Sequence, residues 1–187
     1  SGIRSFTQSL EQSRVDPLIG LTTFTDRLYK PSQLDICFVL DISSDMQPEV
    51  DGLRDGIEIF ANELEANGID LNVGLVTFNN FDETGDAAIQ PIKFSGQFLT
   101  QKYSDIKARL AKIDAVGGGL DESSFLGLTV ATKQTFRPAS KKIIILITDE
   151  PPLIPDGEVK STVAMIDTLK SFGASDLFCI VTPTNNP

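Results

Sequence analysis

LDICFVLDISSDM, residues 34–46, sets an apolar run directly against an acidic, hydroxyl-bearing loop. Leu34 to Leu40 is apolar on both faces over a length that suits a buried strand. Downstream, Val50, Leu53, Ile57, Phe60 and Leu64 recur at steps of three and four. That spacing predicts an amphipathic helix over 48–66, ended by Asn67-Gly68. Strand, loop, helix is the opening of a βαβ unit, and the rest of the chain repeats the alternation. Strands are expected at 73–78, 87–94, 142–148 and 177–182, the second of these antiparallel beside 73–78. Helices are expected at 103–113, 122–136 and 161–172. KIIILIT, residues 142–148, is the most apolar run and belongs inside the sheet. The fold class is therefore α/β: a doubly wound, Rossmann-like, mostly parallel sheet with one antiparallel edge strand and helices on both faces.

Composition narrows the chemistry. A chain of 187 residues that is 41% hydrophobic and 22% charged has the size and make-up of one domain with a sizeable core. It contains no histidine, so Ser-His-Asp and Cys-His catalysis and imidazole-bound zinc are excluded. A net charge of −10 without a basic run disfavours nucleic acid, where affinity comes largely from Lys and Arg on phosphates. No stretch reaches the roughly 18 apolar residues of a membrane span. Cys37 and Cys179 each sit in a run read as a buried strand and are expected in the core.

Asp41, Ser43 and Asp45 occupy alternate positions of a loop leaving the carboxyl end of the first strand, the edge at which open α/β sheets bind ligands. Such residues can turn three oxygens toward one hard cation, Mg²⁺, Ca²⁺ or Mn²⁺; an Asp-x-Ser there is also a common helix cap. Two further loops bear on the choice. TDEPP, residues 148–152, puts Asp149 and Glu150 at the end of the neighbouring strand, and GGGLDESS, residues 117–124, puts Asp121, Glu122, Ser123 and Ser124 before a helix. Three acidic loops on one edge are hard to explain by capping alone, and their mutual repulsion is expected to raise a carboxyl pKa. Asp82, Glu83 and Asp86 form another acidic loop, which could hold a second ion or be plain solvated surface.

The N-terminus carries an internal repeat. Residues 2–26 align without a gap on 56–80, with identities at Gly2/Gly56, Ile3/Ile57, Phe6/Phe60, Leu10/Leu64, Glu11/Glu65, Asp16/Asp70, Gly20/Gly74, Leu21/Leu75, Thr23/Thr77 and Phe24/Phe78. Average residue usage predicts roughly one or two such matches. Residues 1–33 therefore read as a partial helix-strand repeat and linker, and 34–187 as the main domain.

LDICFVLDISSDM, LNVGLVTF, VGGGLDES and KKIIILITDEPP together resemble, in order, the first strand with its Asp-x-Ser-x-Ser motif, the second strand, the Gly-rich third loop and the fourth strand of the von Willebrand factor A domains, which are related to integrin I domains. The likeness runs from about residue 34 to 182. It implies a metal-ion-dependent adhesion site, with Asp41, Ser43, Asp45, Asp121 and Asp149 around a divalent cation (Mg²⁺ or Ca²⁺, possible also for Mn²⁺) and Glu122, Ser123, Ser124 and Glu150 close to the ligand. In that family one position on the ion is left to a carboxylate of another protein, so the implied role is protein binding and cell adhesion, not catalysis, with an extracellular or cell-surface location ahead of a cytoplasmic one. Position 45 carries Asp where the motif has Ser, and position 120 carries Leu where many members have a ligating Thr. The alternatives are an assembly scaffold with a degenerate site and, more remotely, a Mg²⁺-dependent phosphohydrolase. The family also implies a helix and strand after the fifth strand. Residues 2–24 are expected to supply that edge, to be the remnant of a tandem copy, or to swap into a neighbour.

Overall fold

The structure, a computed structural model, describes residues 33–80, 89–117 and 122–181. The repeat at 2–26, the acidic loop at 82–86 and Asp121 lie outside the described residues.

Five strands form one sheet in the order β3-β2-β1-β4-β5. β1 (Gln33–Asp41) pairs in parallel with β2 (Asp70–Phe78) on one side and β4 (Lys141–Thr148) on the other. β5 (Asp176–Val181) adds in parallel to β4, and β3 (Gln90–Pro91) lies antiparallel to Val76 and Thr77 of β2. The doubly wound, mostly parallel sheet expected from the alternating pattern is present. Of the antiparallel strand expected at 87–94, Gln90 and Pro91 are paired among the described residues, and Ile92 N–H still donates to Leu75 O (2.9 Å). Beyond it, a bridge between Phe94 and Gln97 closes a turn and a single bridge from Thr100 to Val73 returns the chain to β2.

Side chains alternate across β1 and separate two apolar layers. Leu34, Ile36, Phe38 and Leu40 face α1 (Gln47–Ala66) and α2 (Tyr103–Leu110), while Cys37 and Val39 face α3 (Ser124–Thr132) and α4 (Thr162–Phe172). The predicted stripe of α1 is the buried one: Val50, Leu53, Ile57, Phe60 and Leu64 are all within 2% of full burial. Pro48 opens the helix, where its missing N–H costs nothing, and Gly68 closes it at φ +78°. α2 and α3 are shorter than their periodicity suggests, ending at Leu110 and Thr132, and short turns follow each.

Asp35 has the parity of the second layer yet is fully buried at the amino edge of the sheet. Its carboxylate accepts from the Arg137 backbone N–H (2.8 Å), Arg137 Nε (2.7 Å) and the Ser140 hydroxyl (2.7 Å). Arg137 also donates to the carbonyls of Leu34 and Asp70 and pairs with the Asp70 carboxylate at 2.8 Å. One guanidinium thereby joins the first residues of β1 and β2 to the turn that enters β4.

Cys37 is buried as expected, and burial pushes its thiol up. Cys179 is exposed, contrary to expectation. The reason is position: β5 is the last strand of the sheet among the described residues, so only one of its edges is packed. Among the described residues no helix is long and apolar enough to cross a membrane.

Candidate metal centre

The carboxyl ends of β1 and β4 bring Asp41 and Asp149 together. β1 and β4 run in register, Leu40 opposite Ile147, so the residues that follow leave the sheet side by side. Asp41 is fully buried. One of its oxygens accepts the Ser43 backbone N–H (2.8 Å), and the other accepts the Thr148 hydroxyl (2.8 Å). Ser43 is also buried, and Ser44 to Met46 form a 3₁₀ turn leading into α1. The common capping alternative is not realised there, since the Ser43 side chain makes no cap hydrogen bond to that turn. Asp45 is exposed at the mouth.

Buried Asp41 and half-buried Asp149 are both pushed toward the neutral form. Burial pushes the Asp41 carboxyl up to about 6, against hydrogen bonds from Ser43 and Thr148 that favour the charged form, and Asp149 adds a small repulsion. Burial likewise raises Asp149, opposed by its own backbone N–H, with the Asp45 carboxylate adding to the rise. The expected rise is present, but desolvation leads and mutual repulsion follows. Asp149 Oδ1 is buried without a hydrogen-bond partner. A buried carboxylate oxygen with nothing to accept from is costly in a protein alone and suits a cation. Asp41, Ser43 and Asp149, with Asp45 at the mouth, thus fit an oxygen-ligated hard ion. Among the described residues, no group of three His, Cys, Asp or Glu side chains is close enough to hold an ion unaided. A centre here therefore also needs Ser43, water or residues outside those described.

The Gly-rich loop is stitched to the first loop. Val116 N–H donates to Ile42 O (3.1 Å), Ser44 N–H to Gly117 O (2.8 Å), and the Asn79 side chain to Val116 O (2.6 Å). On its far side, Glu122 exchanges backbone bonds with Pro151 and Leu153. All three acidic loops are therefore joined through their backbones. Glu122, Ser123 and Ser124, expected near a ligand, are essentially fully buried, whereas Glu150 is partly exposed.

Three contributors were not singled out in the sequence. Thr148 holds Asp41, and its signal is a hydroxyl ending an otherwise apolar strand. Asn79 follows β2 directly and carries a side-chain amide to the same edge. Asp156, fully buried, accepts the Leu126 N–H at the start of α3 (2.8 Å), so a carboxylate from the loop after β4 caps that helix. No local spacing announces that last contact.

Among solved structures, the pilus adhesin SpaC from Lactobacillus rhamnosus GG is similar at a TM-score of 0.49 and 24% identity, over 67% of this chain and 16% of that one. Its open conformation gives 0.46. Three N-terminal domains of the type V pili tip protein Mfa5 from Porphyromonas gingivalis give 0.46 at 17% identity, over 63% of this chain and 20% of that one. The chain thus spans a fifth or less of the length of these proteins. No curated protein matches it. The family model of the von Willebrand factor type A domain matches residues 35–180, from within β1 to within β5, and the chain belongs to that family.

Proposed function

We propose that this domain is a metal-ion-dependent protein-binding module, in which Asp41, Ser43, Asp45 and Asp149, completed by Asp121, hold one divalent cation that a carboxylate of a partner protein reaches from outside. The observation that carries the reading is the buried, unpartnered Asp149 Oδ1 beside the fully buried Asp41. Thr148 and the Ser43 N–H orient Asp41, so its oxygens are placed before any ligand arrives. Asp45 at the mouth adds negative charge where the family motif has Ser, which favours Ca²⁺ with its larger, carboxylate-rich shell. Val116, 61% exposed on the Gly-rich loop, gives a partner an apolar contact next to the charge. The bound ion would supply charge neutralisation and a coordination position for the incoming carboxylate. Adhesion at a cell surface is the biological setting that this reading favours.

Calorimetry of the chain with Mg²⁺, Ca²⁺ and Mn²⁺ tests it. Binding of at least one ion at millimolar concentration or below, abolished in Asp149→Ala, is the expected result. Absence of binding by all three ions sinks the proposal and leaves the domain as an assembly scaffold.

A further inference from the structure

We propose that a cleft at the amino edge of the sheet, between β2 and the segment 94–102, binds an uncharged saccharide and does so without a cation. The cleft holds about 480 Å³, within the roughly 300–1,000 Å³ of small-molecule sites. Asn72, which lines it, is the third residue of β2, whereas Phe78 ends that strand at the opposite edge, about 20 Å away at 3.3 Å per residue. The cleft is therefore separate from the centre at Asp41 and Asp149.

Asn72 is the first observation. Its neighbours along β2, Leu71 and Val73, are fully buried in one apolar layer. Asn72 points to the other face, which it shares with Gly74, where Phe98 and Leu99 close over the strand. Its Oδ1 is buried without a hydrogen-bond partner. A buried carbonyl with nothing to accept from opposes folding, so an apolar residue would serve the strand better at this position. A molecule in the cleft gives the amide the partner that the fold withholds. The terminal torsion of asparagine is soft and two-fold, so a half-turn offers either the NH₂ group or the carbonyl to that molecule. Gln97, exposed on the turn that borders the cleft, brings a second amide.

Charge narrows the ligand class. Arg137 also lines the cleft, but all three of its nitrogens are engaged: Nε with Asp35 at 2.7 Å, Nη1 with the Asp70 carboxylate at 2.8 Å, and Nη2 with the carbonyls of Leu34 and Asp70 at 2.9 and 2.8 Å. Lys102 and Asp105 add one charge of each sign. No net charge is left to select an anion or a cation. A peptide strand is disfavoured too, because the outer edge of β2 is occupied here. Val73 exchanges backbone hydrogen bonds with Thr100, both at 2.9 Å, and the Leu71 carbonyl accepts the Tyr103 hydroxyl at 3.0 Å. Two amides that both donate and accept remain, beside the apolar surfaces of Leu99 and Phe94. A pyranose matches that set, with hydroxyls that donate and accept around a ring whose C–H face is apolar.

NMR of the full chain in EDTA tests the proposal, with glucose, galactose, mannose, fucose, N-acetylglucosamine and N-acetylgalactosamine each titrated to tens of millimolar. Saturable shifts of the Asn72 and Gln97 side-chain amide signals and the Leu99 methyl signals are expected with at least one sugar. Asn72→Ala and Gln97→Ala should each weaken that binding at least ~10-fold without lowering the melting temperature. Gln97→Ala, on an exposed turn, keeps the fold and decides the matter if Asn72→Ala does not fold. The proposal is overturned by no saturable shift at these signals with any of the six sugars, or by binding that Gln97→Ala or a folded Asn72→Ala leaves unchanged. Acetate, ammonium and acetyl-trialanine amide serve as charged and peptide probes, and a stronger response to any of them than to every sugar also overturns it. Added Ca²⁺ should leave the sugar affinity unchanged; a sugar response that requires Ca²⁺ would belong to the metal centre and would overturn the assignment to this cleft.

Discussion

Asp41 shows how one side chain can trade stability for a site. Its carboxyl titrates near 6 in place of an ordinary 3.8, so the folded chain keeps a proton that the unfolded chain has released between those values. The stabilising contribution of that proton is full below about pH 3.8 and is lost as pH rises through 6, where the ionised form costs about 3 kcal/mol without a cation. Asp41→Asn keeps an acceptor for Ser43 and removes the charge. In EDTA at pH 7.5 it should raise the melting temperature, by about 2–4 °C for each kcal/mol recovered, and change little at pH 4; a lowered melting temperature at pH 7.5 would contradict burial as the cause. Asp35 is the opposite case, a buried charge matched on every side. Asp35→Ala leaves Arg137 without its buried partner and should destabilise the chain by about 3–5 kcal/mol, measured by urea unfolding. The mutation lies at the amino edge of the sheet, opposite the proposed cation site, so cation affinity in the folded fraction should be unchanged.

Among the elements, β2 is the one whose neighbours cannot be read from its own residues. Gly74 is glycine because the Phe98 ring occupies the space that a side chain would need. Gly74→Ala overpacks that contact and should cost about 1–3 kcal/mol, and trimming the ring in Gly74→Ala/Phe98→Leu should recover part of the loss. Thermal unfolding of the three proteins decides it: equal losses in the single and double variants would rule out the clash. The length of α1 and its buried stripe were legible from a period of 3.6, since a long helix repeats its signal many times. β3 was legible as an antiparallel strand beside β2 but its extent was not, because two paired residues carry too little pattern to fix where a strand begins and ends.

Across the whole molecule, the proposed site would link cation binding to folding. An ion that binds only the native state stabilises it by about 2.7 kcal/mol at a hundredfold excess over its dissociation constant. The melting temperature should therefore rise by about 5–10 °C with saturating Ca²⁺ or Mg²⁺ at pH 7.5. The rise should shrink as pH falls below 6, where Asp41 takes up the competing proton, and should vanish in Asp149→Ala. A pH-independent rise that survives Asp149→Ala would place the ion elsewhere.

The sequence by itself determined the order of strands and helices, the two-layer packing and the acidic loop at 41–45, because period, apolar runs and loop residues are local properties. Strand ends also placed Asp149 near Asp41, since parallel strands in register export their next residues to one edge. Only the tertiary structure decided that Thr148 holds Asp41, that Asp156 caps α3, that Arg137 locks Asp35, and that Cys179 lies exposed on β5. Each of those depends on residues far apart along the chain, or on where a strand falls in the sheet. No local pattern encodes such distances, whereas burial and hydrogen bonding in the folded chain measure them directly.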